Sequence, residues 1–207
     1  MLTCLNAIEC NILTIFPSIY MKTHIEEKLL VYKVISKRDT EAFAKLYDFY
    51  IQPIYRFVFF KLSNREDAED ISSEVFLKTW DYLIEKPRDI TSFRQLVYRI
   101  ARNRIIDVYR ERARKNECLI DVATETLVGN DLRIDIEVKE EQQDLIKSIK
   151  KLKHEYQEVI HLRYIEGLST KDIAGILDIS ATNVRIIIYR ATKKLKEFVE
   201  PKSPKKK

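Results

Sequence analysis

Apolar residues recur along most of this chain at three- and four-residue intervals, the spacing of helices that bury one face. From about Ile25 to Arg114 the pattern predicts a helical domain, opening on EEKLLVYKVIS and TEAFAKLYDFYIQPIYRFVFFKL. Phe43, Leu46, Tyr47, Tyr50, Ile54, Phe57 and Val58 fall on one stripe of the second run, an aromatic-rich face that reads as core without a direct role. Ser63 or Asn64 is expected to start the next helix, SNREDAEDISSEVFLKTWDYL, with Glu66, Asp67, Glu69 and Asp70 in its first turns where the helix dipole favours them. Ile71, Val75, Phe76 and Trp80 would point inward from it. Past Pro87, ITSFRQLVYRIARNRIIDVYRERARKN is predicted as a further helix, attached through Phe93, Leu96, Val97, Ile100, Ile105 and Val108. Periodicity lapses between about Lys115 and Gln142, then resumes with Ile149, Leu152, Tyr156, Val159, Ile160 and Leu162.

The last stretch, GLSTKDIAGILDISATNVRIIIYRATKKLK at 167–196, holds two helices joined with almost no slack. Ser169 and Asp172 have capping-box spacing, so a helix should start near Thr170 and present Ile173, Ala174 and Leu177 on one face. Asp178 occupies the turn, where a left-handed backbone is expected and Asp is one of the few non-glycine residues to tolerate it. Ser180 would cap the second helix, with Val184, Ile188 and Ala191 inward and Arg185, Ile186, Tyr189, Arg190 and Lys193 outward. An outward face of arginine, tyrosine and lysine suits the major groove of DNA, and free N–H groups at both helix starts suit phosphates. An ordinary helical hairpin with a solvated basic face is the plainer alternative.

Composition narrows the class. The chain has 207 residues, enough for one large or two small domains, with only three glycines and five prolines, and helix formers dominate, which predicts an all-α protein. A formal charge of +5 describes a mildly basic chain, so the distribution of charge says more than its sum. Cys4, Cys10 and Cys118 are widely spread beside three histidines, which indicates no disulfide framework, no metal site and a reducing cytoplasmic setting. His154 and His161 read as surface or interface residues rather than ligands. Residues 1–20 are apolar but lack a basic start, contain Glu9 and are broken by Asn6, Asn11 and Pro17, so they read neither as an export signal nor as a membrane span. They are expected to be a poorly ordered arm or an untranslated upstream extension, with a partner-binding helix as the remaining alternative, Met21 being a natural start of the folded chain.

Two charged segments carry candidate chemistry. Glu66, Asp70 and Glu74 line up at four-residue intervals, as a solvated face or as a docking surface for a basic partner; a nuclease site is disfavoured because no histidine or further ligand accompanies them. Arg94, Arg99, Arg102, Arg104, Arg110, Arg112 and Arg114 crowd one helix against Asp107 and Glu111, with a nucleic-acid backbone as the natural acceptor and a solvated arginine face as the alternative. The stretch after it is an acidic connector.

In order, DAEDISSEVFLKTW at 67–80, FRQLVYRIARNRIIDVYR at 93–110, EYQEVIHLRYIEGLSTKDIAGILDIS at 155–180 and NVRIIIYRATKKL at 183–195 resemble the extracytoplasmic-function sigma factors of the sigma-70 family. The resemblance implies a sigma region 2-like helical domain over 21–115, an acidic linker over 116–141, a region 4-like helix-turn-helix domain over 142–200 and a basic tail over 201–207. It implies binding to core RNA polymerase, promoter choice and help in opening the minus-10 element, with no catalysis and no cofactor in this chain. A conventional helix-turn-helix regulator that leaves the sigma subunit in place is the alternative.

The same resemblance implies residue roles. Asp70, Ser73 and Glu74 would bind a coiled coil on the polymerase clamp, Ser73 standing where the family usually has glutamine. The loop from about Ile84 to Thr91 and Arg99, Asn103 and Asp107 would meet the separated minus-10 strand, with Arg102 and Arg110 on phosphates. Arg185, Ile186, Tyr189 and Arg190 would face the minus-35 groove while Ser169, Thr170 and Lys171 approach its backbone. Ile186 replaces a small polar residue and Ile187 an arginine, so the recognised sequence should differ from those of relatives; Lys153 stands where proline is common. Partners implied are core polymerase, double-stranded and locally melted promoter DNA and an anti-sigma factor that no residue here identifies, and no membrane.

Overall fold

The computed structural model describes residues 24–87, 90, 92–117, 145 and 147–199, and among these it contains helices and no strand. Residues 1–20, most of the acidic connector, Thr91 and the basic tail lie outside the described residues. The chain divides into two compact units.

The first unit consists of α1 (His24–Lys37), α2 (Thr40–Leu62), α3 (Arg65–Glu85) and α4 (Phe93–Glu117). The Asp39 carboxylate accepts from the Ala42 N–H at 3.0 Å to start α2. Ser63 then turns the chain in a left-handed conformation, φ 53°, and Asn64 caps α3 by accepting from the Asp67 N–H at 3.0 Å. Of the two candidate starters, Asn64 is therefore the cap and Ser63 the turn.

Leu46, Ile54, Phe57 and Val58 of α2 meet Val75 and Leu83 of α3 and Val97, Tyr98 and Ala101 of α4 in a core closed to solvent. Its rings meet edge to face, Phe57 with Tyr98 at 5.5 Å and Tyr47 with Phe76 at 4.7 Å between centroids. Glu27 of α1 is buried, and its carboxyl group accepts from the Tyr50 hydroxyl at 2.5 Å, a hydrogen bond that offsets the cost of burying a polar group.

Four inward assignments shift, and two of them are Phe43 and Tyr47 of α2, which are half-buried. Trp80 sits half-buried at the rim, its ring edge-on to Phe43. Ile100 is only half-buried because Val97, Ala101, Ile105 and Val108 hold the centre of the inner face of α4 and leave position 100 on its flank. α3 also continues through Ile84 and Glu85, which had been expected in the loop, and α4 continues to Glu117, into the first positions expected of the connector.

The second unit opens on helical residues 147–150 and continues through α5 (His154–Ile160), a π-helical turn (His161–Ile165), α6 (Thr170–Leu177) and α7 (Ala181–Val199). Helix α5 starts directly after Lys153, with no side-chain cap hydrogen bond. The π turn closes through the Glu166 N–H donating to the His161 carbonyl at 3.0 Å. Val159, Ile160, His161 and Leu162 are four consecutive buried residues, a run that one face of a regular helix cannot hold. The π turn shifts the phase of the apolar face, and His161, read from the sequence as a surface or interface residue rather than a ligand, is buried there. Its Nε2 lies 3.2 Å from Oε1 of Glu166, which is also buried.

Ile173 and Ile176 of α6 pack with Leu168 and with Val184, Ala191 and Leu195 of α7. Ile176 thus takes the inward place expected of Leu177, which with Ala174 is half-buried on the flank. Asp178 has φ 56° and ψ 45°, the left-handed turn expected of it. A β-branched side chain there clashes with the following carbonyl. Asp178→Val should therefore lower the stability of this unit by about 1–2 kcal/mol, read as an earlier thermal unfolding transition, with α6 and α7 contacts otherwise unchanged.

Candidate nucleic-acid and partner interfaces

In the second unit, reciprocal caps fix where two helices begin. Ser169 Oγ accepts from the Asp172 N–H at 3.1 Å while the Asp172 carboxylate accepts from the Ser169 N–H at 3.2 Å. Ser180 Oγ accepts from the Asn183 N–H at 3.2 Å, so α7 follows α6 after a single tight turn. Burying Val184 and Ala191 leaves Arg185, Ile186, Tyr189, Arg190 and Lys193 exposed on the outward side of α7. Ser169 and Lys171 are exposed and Thr170 half-exposed at the start of α6. A cationic helix face beside a second helix start matches the width and charge of a major groove.

In the first unit, α4 carries two sets of polar residues that point differently. Arg99, Asn103, Asp107 and Arg110 recur every three or four residues and share an outward stripe, with Arg102 beside it and half-buried. Arg99 Nη2 donates to the Tyr82 hydroxyl at 3.4 Å. Asp107 and Arg110 approach to 3.6 Å, both well exposed, a pair worth about 0–1 kcal/mol that leaves both groups available to a partner.

Arg104 and Arg112 do not join that stripe. Arg104 Nε donates to Glu74 at 2.6 Å and its Nη1 to Glu111 at 3.1 Å, and Arg112 pairs with Asp67. Both therefore tie α4 to α3, which corrects the expectation that all these arginines face a nucleic-acid backbone. Position 104 lies about two turns before the adjacent positions 111 and 112, on the side of α4 that flanks α3.

The acidic helix α3 presents Glu66, Glu69, Asp70 and Ser73 to solvent. The Ser73 hydroxyl donates back to the Glu69 carbonyl at 3.0 Å, and Glu69 pairs with Arg65 at 2.9 Å. Glu74 is shared between Lys78 at 2.8 Å and Arg104 at 2.6 Å. Burial acts to raise the Glu74 carboxyl, but the hydrogen bonds and charges of Lys78 and Arg104 outweigh it and hold the group below its ordinary range. The hydrogen bond to Glu74 is the main cause that raises the Arg104 guanidinium in turn.

Leu77, one turn beyond Ser73 and Glu74, is 69% exposed. Sequence reasoning passed over it, although its phase differs from that of Val75 and Phe76 and could have flagged it. Carboxylates around an exposed leucine fit a partner that offers cations beside an apolar surface. Among the described residues no cluster of His, Cys, Asp and Glu is arranged to hold a metal ion. No described helix is long and apolar enough to cross a membrane.

Comparison with known proteins adds an independent finding. Residues 46–115 match the family description Sigma-70 region 2, and residues 142–195 match Sigma-70, region 4. The chain is 31% identical over 180 residues to the ECF RNA polymerase sigma factor SigW of Bacillus subtilis (strain 168), covering 80% of this chain and 92% of that protein. It is 25% identical over 152 residues to SigM, an ECF RNA polymerase sigma factor of the same organism, covering 73% and 91% respectively. Among solved structures, the sigma factor RpoE of Bartonella quintana, crystallised with the anti-sigma factor NepR, superimposes with a TM-score of 0.60 at 21% identity, over 78% of this chain and 98% of that one. CnrH, solved in complex with the cytosolic domain of CnrY, gives 0.61 at 23% identity, over 86% and 99%. These two likenesses are of fold.

Proposed function

This chain belongs to the extracytoplasmic-function group of the sigma-70 family and is a promoter-directing sigma factor, and we propose that it divides the work among three faces. Asp70, Ser73 and Glu74 of α3, with the exposed Leu77 one turn further along, dock on core RNA polymerase. Arg99, Arg102, Asn103, Asp107 and Arg110 of α4 hold the separated strand of the minus-10 element. Ser169, Thr170, Lys171, Arg185, Ile186, Tyr189 and Arg190 hold the minus-35 duplex. The domain limits proposed are 21–115 and 142–200, joined by the acidic linker.

The observation that carries these assignments is the sorting of α4. Its structural arginines are engaged with α3, while a separate outward stripe mixes cations with an amide and a carboxylate. Cations hold phosphates whatever the sequence, whereas Asn103 and Asp107 offer the donors and acceptors that read an unstacked base edge. Extruding a base costs about a few kcal/mol, so a surface that binds only the displaced strand shifts the equilibrium toward open DNA. The chain itself performs no catalysis; polymerase carries out nucleotidyl transfer in the cytoplasm. A conventional regulator is not favoured, since it leaves the region 2 match without a use. The proposal includes an anti-sigma factor as a further partner, and no residue is assigned to it.

In vitro transcription with core polymerase and a genomic fragment library tests the proposal. Start sites that depend on this chain and share motifs upstream are expected, and polymerase association without start-site selection overturns it. On such a promoter, Arg185→Ala should reduce footprinting of the upstream element. Asn103→Ala should keep that footprint and lower permanganate reactivity of the minus-10 thymines, by about tenfold if one base contact of 1–3 kcal/mol is lost. The opposite pattern would exchange the two roles.

A further inference from the structure

Ile186 stands where a groove-facing helix ordinarily carries hydrogen-bonding groups. It is 41% exposed and sits in the second turn of α7, while Val184 on the inner side is fully buried. Its neighbours one turn away, Thr182, Asn183, Tyr189 and Arg190, are all exposed. Of the three consecutive isoleucines 186–188, the second and third are half-buried against the unit, so the first is the one turned away from packing. Single exposed apolar residues are common on protein surfaces and by themselves mean little. Here the residue lies at the centre of a polar and cationic face, in the part of a recognition helix that approaches base edges most closely.

An isoleucine side chain has no donor and no acceptor. In the major groove the base edges present nitrogen and oxygen atoms and, apart from small C–H groups, a single apolar substituent, the 5-methyl of thymine. Against a G·C pair, Ile186 would strip water from the guanine O6 and N7 or the cytosine amino group and return no hydrogen bond, which disfavours that pair. Against thymine it would bury apolar surface on both sides.

We propose that Ile186 is a specificity-determining residue that selects an A·T pair in the upstream promoter element by packing on the thymine 5-methyl group, between positions read by Arg185 and Arg190. This deepens the assignment of α7 to the promoter duplex and rests on it.

The test uses the full chain bound to core polymerase. Promoter fragments are selected from a library randomised upstream of a mapped start site, and each thymine of the selected element is then replaced by uracil, which removes only the methyl. One position should bind about fourfold more weakly as uracil, the worth of one buried methyl-sized group. In Ile186→Ala the same replacement should have no effect, while in Arg185→Ala the fourfold loss should persist. Selected elements without a common thymine, or a uracil effect that survives Ile186→Ala, would overturn the proposal and leave the promoter reading intact. Failure to select any upstream sequence would instead overturn the promoter reading, and this inference with it.

Discussion

Phe57→Ala should destabilise the first unit by about 3–5 kcal/mol, the usual cost of emptying a buried aromatic site. The Phe57 ring is closed to solvent and meets Tyr98 of α4 edge to face, so its removal leaves a cavity at the junction of α2 and α4. Domains of this kind have only about 5–15 kcal/mol of stability in total, so a loss of that size populates unfolded forms of the unit appreciably. The functional consequence follows from the packing. The stripe from Arg99 to Arg110 is held in place by Val97, Tyr98, Ala101 and Ile105 on the opposite side of the same helix. When that anchorage fails, strand capture should fail with it, while α7 keeps its own core of Val184, Ala191 and Leu195. Hydrogen exchange resolved by segment is the measurement. Protection should fall across α2, α3 and α4 and persist in α6 and α7, with permanganate reactivity lost at the minus-10 element. A wild-type exchange pattern would show that Phe57 does not support the core as described.

Much of this architecture is legible in the chain, and the exceptions share a cause. The helix starts at Asn64, Ser169 and Ser180 are local events, decided by side chains that reach their own backbone, and each was visible as a short-range motif. The outward set on α7 was visible because its inner residues keep a regular phase. Periodicity, however, gives the centre of a face and not the neighbour at its flank. Arg104 and Arg112 lie at such a flank, and only the presence of α3 there turns them from candidate phosphate ligands into internal ties. The burial of His161 is illegible in the sequence for a related reason. One π turn changes the phase of the helix, and no residue type announces it. Leu77 went unnoticed because carboxylates dominate its surroundings, although its exposure is what gives the docking face an apolar element.

Asp70→Lys is expected to weaken binding to core polymerase by two orders of magnitude or so, with thermal stability of the first unit almost unchanged. Asp70 is exposed on α3, and reversing an exposed charge shifts stability by roughly 0.5 kcal/mol or less. In a docked interface the same position loses a charge partner and gains a repulsion, at a cost of about 2–5 kcal/mol. Glu74→Gln should behave differently, because Glu74 already answers Lys78 and Arg104 within the unit. Removing its charge loosens the seam between α3 and α4, so stability and polymerase affinity should fall together. Salt separates the contributions further. Raising ionic strength screens the exposed Asp70 charge and should shrink the Asp70→Lys effect, whereas an apolar contact at Leu77 is not screened, so Leu77→Ala should cost as much at high salt as at low. Thermal unfolding paired with titration of core polymerase at two salt concentrations reads all three variants. If Asp70→Lys binds polymerase as tightly as the parent chain, α3 is not the docking helix, and the role left to its carboxylates is the tie of Asp67 and Glu74 to α4.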